Sequence, residues 1–429
     1  MLFEKLAHHR RRIIAVVCGQ VLSALGTLVG VRLLTEFVSP AVFGQYKLLL
    51  AAISLATGIL IRPVIQFVMR EYHDAVRDDL RDQFCVIARK FFHLYMVGVS
   101  MMIALLLYGV YFHSFRSTFL VVIIAVALLL LQASVEYERA LFTTRNKQTG
   151  AAAVNVAAKW GVPLAIVGAI FMFHESVHIM LLATMGVLLC IRGALIFTET
   201  ISRDTVAVRK THNTIDRGKL VREAFRYSRP LMVVGIFSWI VNEGDRYFLN
   251  YYQTQDAVGI YSAAYGLVSA PFTLVVGTLA QFLYPIVFQA CSSEDPARHR
   301  RVIAEMLKVT ITVCVLGLVA VALFGDTIAR IGLGEEYRAE AAGIMVWVAA
   351  GYGFLAVAMT FDMAAYGHKR TSVMVYAYGT AAIFNIIFDL LLIPELSILG
   401  AAIATTIAFA VYLFVMASFY YLSCKKEIL

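Results

Sequence analysis

The chain is 429 residues long, 60% hydrophobic and only 15% charged, against about 25% charge in an ordinary soluble domain. That balance excludes a soluble globular protein. The formal charge of +9, from 37 Lys and Arg against 28 Asp and Glu, belongs in such a chain to cytoplasmic loops and anionic lipid, not to nucleic acid.

Apolar runs of roughly 20 residues, long enough to cross about 30 Å of hydrocarbon, recur along the whole length. In order they predict twelve membrane-spanning helices: 13–35, 43–68, 87–111, 117–135, 150–173, 178–198, 230–250, 257–289, 302–325, 342–365, 371–393 and 398–422. The opening MLFEKLAHHRRR looks like the basic end of a signal peptide. The apolar run behind it continues to Val31 without a small-residue cleavage site, so an uncleaved first span is expected. Six spans precede the basic segment Glu199–Arg229 and six follow it. That segment holds eight Lys and Arg and is the joint between two expected six-helix bundles, 1–214 and 215–429.

With the N-terminus inside, cytoplasmic segments carry 27 Lys and Arg and outside loops only Arg116, Arg330 and Arg338. The positive-inside rule then places both termini in the cytoplasm. The longest outside loop is expected at Asp326–Ala341, too short for an extracytoplasmic domain. Six cysteines form no C-x-x-C pair and none falls in an outside loop, so neither a zinc ribbon nor a disulfide framework is supported.

The two halves also repeat. Shifting Arg32–Phe67 by 215 residues places Gly44 on Gly259, Tyr46 on Tyr261, Ser54 on Ser269 and Gln66-Phe67 on Gln281-Phe282. Each copy follows an arginine, Arg32 or Arg246. An internal repeat at half the chain length predicts two parallel halves around a central site, an all-α transporter plan.

Charge buried at mid-bilayer costs about 2.5–3.5 kcal/mol on insertion scales, so intramembrane cations carry functional weight. Seven lie in or at the edge of spans: Arg32, Lys47, Arg62, Lys159, Arg192, Arg246 and Lys308. Four of them, Arg32, Lys47, Arg246 and Lys308, sit near span ends, where snorkelling suffices. Lys159 is nine residues into its span, roughly 14 Å along the helix, with Asn155 on its face one turn earlier. Lys159, Arg62 and Arg192 either line a polar cavity or form structural ion pairs. Arg32, Arg246, Gln66 and Gln281 complete the cavity set. Glu243, Asp245, Asp362 and Asp389 are the acids that could couple transport to H+ or Na+, with Asn242 and Asn385 beside them. Asp245 and Arg246 either satisfy each other or neighbouring spans.

His174-Glu175-Ser176-Val177-His178 matches H-E-x-x-H, the zinc pair with a general-base Glu. Zinc needs both His on one helical face and a third ligand. The motif instead covers the shortest outside loop, where a helix is expected to break, and no metal site is expected there.

The segments RLLTEFVSPAVFGQYKLLL and AFRYSRPLMVVGIFSWIVNEGDRYFLNYYQTQDAVGIYSAAY, with the basic turns RNK and GHKR, resemble the polysaccharide transporter branch of the multidrug/oligosaccharidyl-lipid/polysaccharide exporter superfamily. Within it the chain is similar to bacterial O-antigen flippases over essentially its whole length. The resemblance implies two six-helix bundles around a cavity that opens alternately to each side, and a bacterial inner-membrane location. It implies an undecaprenyl-pyrophosphate-linked oligosaccharide as cargo, no enzymatic activity and no cofactor. Membrane lipids and a polysaccharide polymerase with its chain-length machinery are the implied partners. A drug/cation antiporter would want acids dominating the cavity, a glycan polymerase a large outside loop, and an intramembrane zinc protease a metal on His174 and His178.

Overall fold

A computed structural model describes residues 2–77, 80–111, 117–145, 147–203, 217–291, 296–367 and 372–426, which are helical almost throughout and contain no strand. Helices follow from the composition, because a lipid-facing backbone has no water to bond and must satisfy its amides within each segment.

In chain order the helices are α1 (Leu2–Phe37), α2 (Pro40–Ala56), α3 (Arg62–Arg77), α4 (Arg81–Tyr111), α5 (Ser117–Thr144), α6 (Gln148–Met172) and α7 (Val177–Arg203). They continue with α8 (Arg217–Trp239), α9 (Asp245–Tyr252), α10 (Gln255–Cys291), α11 (Pro296–Gly332), α12 (Glu335–Gly367) and α13 (Ser372–Lys426). Single π-helical turns, Thr57–Ile61 and Ile240–Gly244, carry α2 into α3 and α8 into α9 without a break. Such turns are frequent at functional sites.

The described residues form eleven continuous helical runs, against the twelve spans predicted. The difference lies in α13, which covers both of the last two predicted spans. It is two helices that fold back on each other at Pro394, which lacks a backbone donor, and Ser397, at φ 51°, ψ −129°, so that the rings of Tyr378 and Tyr412 lie 4.4 Å apart. Nine segments of the described residues are long and apolar enough to cross a membrane. Two other boundaries move. The loop expected at Asp326–Ala341 is nearly all helix, with only Leu333 and Gly334 between α11 and α12. The fourth span, predicted to end at 135, belongs to a helix that runs on to Thr144. Hydropathy marks where the apolar run stops, whereas a helix can continue into polar surroundings.

The helices form two compact units that do not coincide with the halves of the sequence. One comprises Met1–Gly19 and Leu49–Gly235, the other Gln20–Leu48 and Ile236–Leu429. In the first, α4 to α7 pack side by side. Phe92 stacks on the buried Tyr137 with ring centroids 4.3 Å apart, and Ile166, Met180 and Leu181 are fully buried. In the second, α12 is flanked by α10, α11 and α13. Its core is rich in small residues, among them Ala358, Ala377, Ala381 and Ala408, with Phe409 and Tyr412. Small side chains let helices approach closely where lipid offers no hydrophobic drive.

Within the second unit the first turns of α2 and α10 cross at the repeat's glycines. A Cβ on Gly44 would lie 2.0 Å from the carbonyl oxygen of Gln255, and one on Gly259 2.0 Å from that of Pro40. Both distances are impossible, so only glycine allows the backbones to meet. The two contacts obey the same 215-residue shift as the sequence repeat. Gln45 donates to Gln255 across the crossing. Close by in the same unit, the Gly334 amide donates to Thr35 Oγ1 at 2.8 Å and Tyr337 Oη to the Val38 carbonyl at 2.7 Å.

Candidate functional site

Each unit carries a polar cluster, and α5 organises the one in the first unit. Residues 136 and 139 lie about 60° apart around a helix and 138 well away from both, so α5 delivers charge in two directions. In one, Glu138 Oε1 receives Arg192 Nη1 of α7 at 3.1 Å and lies 3.5 Å from Arg89 Nη2 of α4. Glu138 is buried and both arginines nearly so. Arg192 therefore sits in a structural ion pair, the second of the two expectations for it.

In the other direction, Glu136 lies 3.8 Å from Arg62 Nη2 at the start of α3, whose side chain is largely exposed. One turn on, Arg139 Nη1 donates to Asn155 Oδ1 at 2.7 Å. Lys159 follows Asn155 by one turn on α6 and is within electrostatic reach of Arg139. Its side chain is exposed. Arg62, Asn155 and Lys159 thus share one side of the first unit, joined by Glu136 and Arg139, which the sequence reading left out. Their signal was available: three charges, Glu136, Glu138 and Arg139, directly abut the apolar run of α5. Gln66 is exposed on α3.

In the second unit the cluster forms around the π turn before α9. Arg246 is buried; its guanidinium donates to the Asn242 carbonyl at 3.1 Å and to Ser262 Oγ at 3.2 Å, and pairs with Glu243. It also lies over the Tyr265 ring, 5.4 Å from the centroid. Asp245 is fully buried and within electrostatic reach of the Arg246 guanidinium. It accepts from the Arg246 amide at 2.8 Å, from Thr405 Oγ1 of α13 at 3.2 Å, and from Tyr261 Oη. Asp389 and Asn385, one turn apart on α13, are fully buried, and all four of their side-chain polar atoms lack a hydrogen-bond partner among the described residues. Asp389 lies within electrostatic reach of Asp245. Asp362 stands apart on α12, accepting from Tyr412 Oη at 2.9 Å.

The remaining positions are locally satisfied. Arg32 pairs with Glu36 one turn on, Lys47 lies over the Phe43 ring at 4.9 Å, and the exposed Lys308 meets Glu305 at 2.8 Å. The Gln281 side chain lies outside the described residues. Residues 173–176 separate α6 from α7, so His174 and His178 do not share a helical face. Among the described residues no three His, Cys, Asp or Glu gather as metal ligands.

Comparison with known proteins agrees with this architecture. The chain is 25% identical over 194 residues to the probable low-salt glycan biosynthesis flippase Agl15 of Haloferax volcanii, which is 45% of this chain and 40% of that protein. The match thus spans well under half the length of that curated relative. Among solved structures, lipid II flippase MurJ in an inward closed conformation superposes with a TM-score of 0.73 at 15% identity, over 95% of this chain and 87% of that one. A mutant of the Vibrio cholerae MATE transporter VcmN gives 0.67 at 12% identity, over 99% and 97%. At such identities the likeness is one of fold. A MatE family model matches residues 230–391. The model described as polysaccharide biosynthesis protein matches residues 10–291, well over half of the sequence, and the chain belongs to that family.

Proposed function

We propose that this protein flips a lipid-linked oligosaccharide from the inner to the outer leaflet of the cytoplasmic membrane during polysaccharide biosynthesis. Family membership supports the process, and the glycan flippase named above supports the step. The cargo is argued from one observation: Arg139 near the end of α5 and Lys159 on the apolar α6 lie within electrostatic reach of each other, with no carboxylate paired to either among the described residues. Such charge suits the diphosphate that joins glycan to lipid.

In this reading the carrier is undecaprenyl pyrophosphate, the glycan is of the O-antigen type, and the membrane is a bacterial inner membrane with both termini cytoplasmic. Lys159, Asn155, Arg62, Gln66, Arg32 and Gln281 serve the substrate path, whereas Arg192 and Arg246 hold their own bundles together. A polymerase with its chain-length machinery takes the product on the outer side. Asp389, Asn385 and Asp245 are the coupling site, since oxygen ligands of this kind suit Na+ and the same carboxyls can carry H+. Glu243 serves Arg246, and Asp362 is held by Tyr412.

The test is removal of the gene, followed by analysis of lipid-linked sugars. A lipid-linked oligosaccharide should accumulate on the inner leaflet and surface glycan should fall. Unchanged glycan and unchanged lipid intermediates would sink the flippase reading. The MatE match over 230–391 keeps a drug/cation antiporter in view, and efflux of a cationic dye that survives in Lys159→Ala would favour it.

A further inference from the structure

α8 is made of two unlike parts. From Pro230 it is apolar and begins a predicted span, whereas Arg217–Arg229 carries charge. In this polar part Leu220, Ala224 and Ser228 recur every four residues and are buried. Tyr227 flanks them, its ring 6.0 Å from that of Phe67 and 5.2 Å from the Arg70 guanidinium, both on α3. The opposite face is open. Arg222, Phe225, Arg226 and Arg229 are all exposed, and at this spacing they cover about 100° of the helix surface. Phe225 is held there by the edge of Tyr95, 6.5 Å away on α4, whose hydroxyl donates to the Leu60 carbonyl at 2.8 Å.

The three arginines are unanswered. Other exposed cations meet a carboxylate, Arg62 that of Glu136, Arg70 that of Glu71 and Lys308 that of Glu305. Glu223, the one acid between Arg217 and Arg229, lies at the edge of the face, and no ion pair joins it to them among the described residues. A solvated face explains the charge but not a phenyl ring held among it, since that ring belongs against hydrocarbon. The positive-inside rule explains an excess of arginines but not their gathering on one face. From Arg222 to Arg229 the helix rises about 10 Å, enough to carry them through the polar layer of one leaflet, about 5–8 Å deep. At that depth an arginine meets a phosphodiester, which its fork of donors fits, and Phe225 meets the first carbons of the acyl chains.

We infer that this face of α8 binds the head group of an anionic phospholipid of the bilayer, with Arg222, Arg226 and Arg229 on the phosphate and Phe225 on the adjoining acyl chains. The site requires a chain that lies in a membrane and makes no use of the flippase reading. Its ligand is a resident lipid and not the cargo.

Native mass spectrometry of the purified full chain in neutral detergent counts the bound lipid as phosphatidylglycerol or phosphatidylcholine is titrated in. The native chain should hold phosphatidylglycerol at least about tenfold more tightly. Arg222→Gln, Arg226→Gln and Arg229→Gln should each weaken it about fivefold, the worth of one basic residue at an anionic surface, and the triple variant should erase the preference. The same three residues changed to Lys should bind within a few-fold of native, because head-group attraction follows charge. All three positions are exposed, so unfolding temperatures should stay native. Lys308→Gln removes one exposed cation from α11 and should leave binding unchanged. A loss equal to that of Arg226→Gln would show net charge alone and overturn the site. No preference in the native chain, or a preference that survives in the triple variant, overturns it as well. A polyprenyl diphosphate should bind the native chain and the triple variant alike. If the triple variant loses it, the face serves the cargo and the inference fails. Normal surface glycan after gene removal would sink the flippase reading and leave the lipid result untouched.

Discussion

Asp245 and Asp389 are both buried within the second unit, and removing them should have opposite effects. Asp245 answers three donors, so Asp245→Ala strands a tyrosine and a threonine hydroxyl and should destabilise by about 1–3 kcal/mol. Asp389 answers none among the described residues. Asp389→Leu should therefore leave thermal stability in detergent equal or higher, while abolishing glycan export and any stabilisation by Na+. A fall in stability with export intact would make Asp389 structural. Glu138 is the counterpart in the first unit. Glu138→Ala leaves two largely buried guanidiniums without their carboxylate and should cost about 3–5 kcal/mol, seen as loss of folded protein from the membrane. Adding Arg192→Ala should cost less than the sum, because the two share one network. Depth made Lys159 legible in the sequence, since a cation amid twenty apolar residues has few innocent explanations. The isolation of Asp389 was not legible, because a missing partner is a property of space. Asp245 and Arg246 were expected to satisfy each other or neighbouring spans, and both happen: Asp245 accepts from the Arg246 amide as well as from Tyr261 and Thr405, while the Arg246 side chain reaches Glu243 and Ser262.

At the scale of elements, apolar run length located the helices and misjudged their ends. The nine residues by which α5 outlasts its predicted span contain Glu136, Glu138 and Arg139, so an error of boundary became an error of site. The last two spans read as separate helices because Pro394 and Glu395 interrupt the apolar run, and the chain reverses there, setting Tyr378 against Tyr412. Ser397 holds φ 51° there, a conformation glycine adopts freely and serine does not. Ser397→Gly should relieve strain of about 1–3 kcal/mol, registered as a higher Tm with export unchanged. A lower Tm would show that the serine side chain stabilises the turn. The α2–α10 crossing makes the converse prediction. Gly44→Ala and Gly259→Ala each force a Cβ onto a carbonyl oxygen and should each cost about 1–3 kcal/mol, with the double variant costing less than the sum. Native unfolding temperatures in both would show that the crossing yields without cost.

For the whole molecule, the sequence repeat describes descent while the compact units describe contact, and the two need not coincide. Residues 20–48 belong to the first half by repeat and to the second unit by packing. Reporter fusions test the orientation expected from charge: those after Glu36, Phe112, Gln253 and Glu395 should behave as exported, and those after Asp79, Lys210 and Lys369 as cytoplasmic. An exported reporter at Lys210 would invert that topology. The glycine crossing has a further consequence, in time. Gln45 and its partner Gln255 are separated by 210 residues. At about 5–20 residues per second of synthesis, the α1–α2 turn waits on the order of 10–40 s for the chain that will cover it. During that interval its notched backbone faces lipid or the insertion machinery, and a nascent chain stalled before residue 255 should be an early substrate for membrane proteases.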